Sequence, residues 1–244
     1  MSKKILLIIL LSTSIFASTK VINYDAKFGI FGTVGKLTNT ITKTKHTYTI
    51  KTRLTLTGLA KSLFGGQTGN YISKGFIRNG LFITTQYKSI ERYNETKTVS
   101  TYYINHKRRY VTKDFKEYKK AKLVKHTKKR LNFYAKDDLL TLYFNMDKNV
   151  KMRKSGKRYI FKVVGLEKQN GNVQITIPSK SQYSSYKSDL GDTANWYAKA
   201  LIYQKNFKKK KGDILLSVSR DGNIKKAIIK DVILYGDASL VRVK

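Results

Sequence analysis

The residues of this 244-residue chain that could do chemistry are few and poorly grouped for it. General acid–base catalysis needs carboxyls whose surroundings push their pKa values apart. Asp137 and Asp138 are adjacent, and Asp189 and Asp192 lie in a polar stretch. The first pair reads as a helix cap, because an aspartate there accepts hydrogen bonds from free backbone N–H groups. Neither pair has a sequence context that would raise a carboxyl pKa. His46, His106 and His126 stand in polar or basic surroundings without the spacing of metal ligands, and the chain has no Cys. Serines are plentiful, but no G-x-S-x-G elbow activates one. No catalytic, cofactor-binding or metal residue is assigned, and the expectation is a protein that is not an enzyme.

Two further groups could bind rather than react. Gly29, Gly32 and Gly35 in GIFGTVG would suit a phosphate loop only if a helix followed. The strand-like KLTNTITKTKHTYTI follows instead, so these glycines read as a bulged turn. The cations form the second group. The chain carries 50 Lys and Arg against 15 Asp and Glu, a formal charge of +35. They are densest in two places. Lys208, Lys209, Lys210 and Lys211 stand in NFKKKKGDILL, and residues 107–130 hold twelve Lys or Arg against Asp114 and Glu117. Such density resists burial and reads as a solvated hairpin or loop. Lys208 to Lys211, with Lys128, Lys129 and Arg130, are the candidate contacts to an anionic surface. Tyr and Phe interleaved with Lys could stack bases or sugars. Strand propensity explains them equally.

The N-terminus decides between partners for this charge. MSKKILLIILLSTSIFAS has Lys3 and Lys4 before the apolar run Ile5 to Leu11, then small Ala17. That order is a secretory signal peptide over residues 1–17, with cleavage after Ala17. The run is short for a membrane span; the alternative is an uncleaved signal anchoring the protein in the inner membrane. Export to the periplasm removes nucleic acid as a partner. Anionic lipid, lipopolysaccharide and a small apolar ligand remain.

The elements behind these residues are mostly strands. In HTYTIKTRLTLT, Tyr48, Ile50, Leu54 and Leu56 share one face, while Thr47, Thr49, Lys51, Arg53 and Thr55 share the other. The same period of two recurs in LFITTQYKSI, KTVSTYYIN, KRYIFKVVG and NVQITIP. Asn79-Gly80, Asn170-Gly171, Asp221-Gly222 and Gly236-Asp237 mark turns, the third as a two-residue hairpin. TANWYAKALIYQKNF fits either a helix or a strand and is assigned as strand. DDLLTLYFNMD predicts the one clear helix, with Leu139, Leu142, Tyr143 and Met146 on one face; TGLAKSL suggests a helical turn. Residues 18–244 then form a single domain, an all-β antiparallel sheet, strongly curved or barrel-like, with one short helix plugging it. A two-sheet β-sandwich is the alternative.

Several of these segments resemble the exported bacterial domain-of-unknown-function family 3108. INYDAKFGIFGTVGKLT, YTIKTRLTLTGLAKSLFGG and YISKGFIRNGLFITTQY follow its opening, with Tyr24, Gly29, Gly32, Gly35, Gly58, Leu59, Gly75, Gly80 and Leu81 matching. The usual proline after the last leucine is missing, and the basic stretch at 107–130 has no counterpart. The resemblance implies an antiparallel β fold in the periplasm and no reaction. The function expected is non-catalytic: binding an apolar or amphipathic envelope ligand in a concave face, or supporting the cell envelope. The alternative is a basic module that binds polyanions or anionic lipid. A ligand binder should show an apolar cavity lined by alternating residues. A polyanion binder should show a filled core and one continuous basic face.

Overall fold

A computed structural model describes residues 17–58, 68–166, 168–202, 212–232 and 236–243. The first half of the chain is a meander: β1 (Ser18–Phe28), β2 (Gly32–Lys43), β3 (Thr47–Leu56), β4 (Thr68–Arg78), β5 (Leu81–Tyr93), β6 (Thr96–Asn105), β7 (Tyr110–Lys119) and β8 (Lys122–Arg130). The second half begins with β9 (Asp137–Asp138) and helix α1 (Leu139–Asn149). It continues through β10 (Arg158–Val164), β11 (Asn172–Thr176), helix α2 (Tyr183–Leu190), β12 (Trp196–Ile202), β13 (Gly212–Val218), β14 (Ile224–Val232) and β15 (Gly236–Arg242). Among the described residues, all fifteen strands belong to one sheet, ordered β8 to β1, then β15 back to β9. The first and last of these strands therefore pair in the middle of the sheet, with Tyr24 opposite Arg242. All pairings are antiparallel except the two-residue β9 against β10. The sheet stays open, with β8 and β9 at its edges.

The period of two is borne out. Tyr48, Ile50, Thr52 and Leu56 of β3 are buried, while their neighbours are exposed or half-buried. Within TANWYAKALIYQKNF, Trp196–Ile202 form strand β12, and residues 203–207 lie outside the described residues. Asn79 and Gly80 join β4 to β5 with φ of 52° and 71°, the left-handed pair that a two-residue hairpin turn requires. Gly75 sits at a bulge, where a Cβ would lie 1.9 Å from the Ile83 carbonyl oxygen. The Asp221-Gly222 turn is longer than two residues, because the Asp221 carboxylate organises residues 219–223. It accepts from Ser219 Oγ at 2.6 Å and from the Asn223 backbone N–H at 3.1 Å. These hydrogen bonds and that from Arg242 hold its pKa below the usual carboxylate range, against the effect of burial. The TGLAKSL turn lies largely outside the described residues.

Helix α1 starts where Asp138 caps it. The Asp138 carboxylate accepts from the Leu140 and Thr141 backbone N–H groups at 2.7 and 3.0 Å, and Thr141 Oγ1 accepts from the Asp138 N–H at 2.8 Å. The sequence places one apolar face on this helix; the structure shows that it is surrounded. Leu142 and Met146 pack with Trp196, Leu216 and Val218. Leu140, Tyr143 and Phe144 pack with Ile22, Tyr24, Ile41 and Ile50. Asn145 holds β5 as a strand would, accepting from the Phe82 N–H at 3.0 Å and donating to the Phe82 carbonyl at 2.8 Å. A sheet that contacts one helix from both of its halves is curled around it. The strongly curved, barrel-like reading holds, with one correction: a second helix is present. Tyr186 and Leu190 of α2 cover the outer face of β12 to β14 through Tyr197, Leu215 and Ile228. The outer face there needs a lid because its residues are apolar too.

Candidate ligand cavity

The curl leaves space beside α1. A cavity of about 230 Å³ lies between the helix and the inner faces of β1–β3 and β13–β15. Its walls are Leu37, Leu139, Leu140, Ile214, Leu216, Ile224, Ala227, Ile229 and Leu240, with Tyr24, Tyr143, Asn39 and Thr52. The strand residues among them alternate with outward-facing neighbours. Ala227 stands opposite Leu216 and Leu240, where a larger side chain would fill the gap.

Four polar side chains interrupt the apolar wall. The hydroxyls of Tyr24 and Tyr143 share a short hydrogen bond, and Tyr24 Oη donates to the Ile224 carbonyl at 2.9 Å. Burial pushes both phenols up, Tyr143 well above its ordinary value, so both are neutral donors. On the adjoining strands β2 and β3, Thr52 Oγ1 donates to Asn39 Oδ1 at 2.5 Å, with both side chains buried. Among the described residues, no charged side chain lines the cavity. It can therefore hold hydrocarbon and a few neutral polar atoms.

The paired carboxylates lie elsewhere in the interior. Asp138 is fully buried and also accepts from the Ser73 and Thr84 hydroxyls. Tyr48 Oη shares hydrogen bonds with the same two hydroxyls. The sequence reading that no context raises these pKa values is corrected. Burial pushes Asp138 up, and lifts Asp137 from the ordinary 3.8 to about 6. The fold encloses a polar dipeptide that looks like a solvated cap in sequence. Neither carboxylate lines the cavity, and the hydroxyl ring around Asp138 serves to cap α1 and fasten it to β4 and β5. His106 does similar work, bridging the Tyr134 hydroxyl at 2.9 Å and the Thr84 carbonyl at 2.6 Å.

The cationic candidates stand apart from the cavity. Of residues 107–130, the first three lie in the turn after β6 and the rest form the β7–β8 hairpin, in which every residue of β8 is exposed. Lys128 lies opposite Asp114, Lys129 opposite Lys113, and the Arg130 guanidinium stacks on the Tyr110 ring at 4.6 Å. Lys208, Lys209, Lys210 and Lys211 lie outside the described residues. Leu123 and Val124, each 52% exposed, interrupt the lysines of β8, which sequence reading passed over. It also passed over Asn39 and Thr52. Their signal was present: each occupies an inward position between apolar residues, Leu37 and Ile41 in one strand, Ile50 and Leu54 in the other.

No family model matches the chain, and no curated protein matches it. A solved structure does. The crystal structure of a β-barrel-like protein of domain of unknown function DUF1849 from Brucella abortus aligns with a TM-score of 0.53. The alignment covers 92% of this chain and 95% of that one at 8% sequence identity. At that identity the likeness is one of fold, and it extends over nearly the whole chain: this is a β-barrel-like protein.

Proposed function

We propose that this protein is exported to the periplasm and binds an apolar or amphipathic envelope ligand without transforming it. The observation that carries this reading is the cavity of about 230 Å³ between α1 and the sheet. Ligand sites are concave and mostly apolar, and a pocket with this lining is a place where a hydrophobic guest gains contacts that water does not supply. The residence in the periplasm rests on the signal-like N-terminus, and the resemblance to family 3108 supports it. The test is purification of the native protein from periplasm, followed by mass spectrometry of co-purifying small molecules. A stoichiometric apolar species supports the reading. Protein that is empty, and remains unshifted in melting temperature by any hydrophobic probe, overturns it.

A second reading has its own observation. On β8, Leu123 and Val124 are exposed among Lys122, Lys125, Lys128, Lys129 and Arg130. Aliphatic side chains flanked by cations suit the boundary of an anionic lipid surface. Lysines on a sheet edge also discourage strand pairing between molecules. The lipid contact therefore ranks second, as a peripheral property of a ligand-binding protein.

A further inference from the structure

The polar atoms of the cavity wall are unequally satisfied. Tyr24 Oη spends its hydrogen on the Ile224 carbonyl, which leaves Tyr143 to donate to Tyr24. Thr52 spends its hydrogen on Asn39 Oδ1. Asn39 is 3% exposed, and its amide group finds no acceptor among the described residues. A carboxamide carries two N–H donors, which an acceptor held in the cavity would meet. With Thr52 Oγ1 donating to Asn39 Oδ1, the two N–H groups are the end of the amide left over. A wall built only to fill space would carry Leu or Val at this inward position.

We propose that Asn39 is a specificity residue, and that the ligand is a neutral acyl ester whose carbonyl accepts from Asn39 Nδ2 while its chain lies along Leu216, Ala227 and Leu240. This rests on the ligand-binding reading above. An acceptor is required because the free group is a donor. A neutral head suits a lining in which no cation stands among the described residues. The volume sets the size. About 230 Å³ exceeds the roughly 150 Å³ that holds a benzene-sized guest and falls short of the roughly 300 Å³ at which drug-sized pockets begin. A medium-length acyl segment fits that interval.

The experiment compares methyl octanoate with nonane, an alkane of similar length, by headspace gas chromatography over the delipidated protein. Octanoate at pH 8 serves as a competitor. The wild-type protein is expected to bind the ester about three- to tenfold more tightly than the alkane, the worth of one hydrogen bond. Octanoate should displace the ester poorly. In Asn39→Leu the preference should vanish while alkane binding persists. Should Asn39→Leu fail to fold, the side-chain amide resonances of Asn39 in labelled wild-type protein are the readout. They should move with the ester and stay still with the alkane. Equal binding of ester and alkane by the wild type overturns the proposal and leaves the cavity reading standing. So does an ester preference that survives Asn39→Leu. Failure of both neutral probes to bind overturns the ligand-binding reading itself.

Discussion

Replacing Asp137 by Asn should make the protein more stable at neutral pH and change the shape of its pH dependence. Asp137 is 2% exposed, and its pKa is lifted from 3.8 to about 6, chiefly by burial and further by the Asp138 charge, against the pull of Lys136. A raised carboxyl pKa means that the folded state holds the proton more tightly than the unfolded chain. Below about pH 4 both states are protonated, and the group costs nothing. Between about pH 4 and 6 only the folded state keeps the proton, so stability falls as pH rises. Above about pH 6 both states are ionised and the loss is complete. A carboxyl pKa raised from 3.8 to about 6 corresponds to a loss of about 3 kcal/mol. Asn cannot ionise and fills the same space beside Asn145, so Asp137→Asn escapes this loss. The assay is urea denaturation at fixed ionic strength from about pH 4 to 7.5. The variant should match wild type at the acid end and exceed it by about 3 kcal/mol at the neutral end. Asp138, also raised, is present in both proteins; its repulsion of Asp137 enters with the same sign. A stability difference that stays constant across this range refutes the reasoning.

Ile175→Asp should unfold the protein while Thr176→Asp leaves it folded, since Ile175 is buried and Thr176 only partly so. An unpaired buried carboxylate costs several kcal/mol, much of a domain's stability, and equal melting temperatures would refute the register. Gly75→Ala should cost at least about 2 kcal/mol, because the added Cβ meets the Ile83 carbonyl oxygen; an unchanged urea midpoint would show that the bulge yields. Replacing Lys128, Lys129 and Arg130 by Ser should leave thermal stability intact and weaken binding to anionic vesicles at low salt. The expected loss is about 1 kcal/mol per cation, shrinking as salt rises. The same replacement at Lys208 to Lys211 compares the second basic run, and vesicle binding untouched by either variant removes the lipid contact. Cleavage after Ala17 is checked by the intact mass of the periplasmic protein.

The strand character of this chain is legible in its sequence because a pleated strand sends neighbours to opposite faces, and burial on one face writes a period of two into the residues. Tyr48, Ile50 and Leu56 carry that record, as do the left-handed Asn79 and Gly80, whose backbone few other residues adopt cheaply. The helix α1 was readable from its spacing and its aspartate cap, and the curvature from the excess of strands over helices. What surrounds α1 was not. Whether a helix meets one wall or several depends on how far the sheet curls, and curling is settled by contacts between strands remote in sequence, such as β5 and β10 on either side of the helix. Burial of Asp137 and Asp138 follows from the same closure: local sequence shows a polar dipeptide, and only the enclosing sheet removes its water and lifts its pKa values. The cavity is a further step removed. It is a volume that no residue encodes, left where Ala227, Asn39 and Leu140, from three distant segments, fail to meet. Asn39 could be seen in sequence as a polar residue at an inward position; that its amide faces unfilled space was decided by the packing of the whole fold.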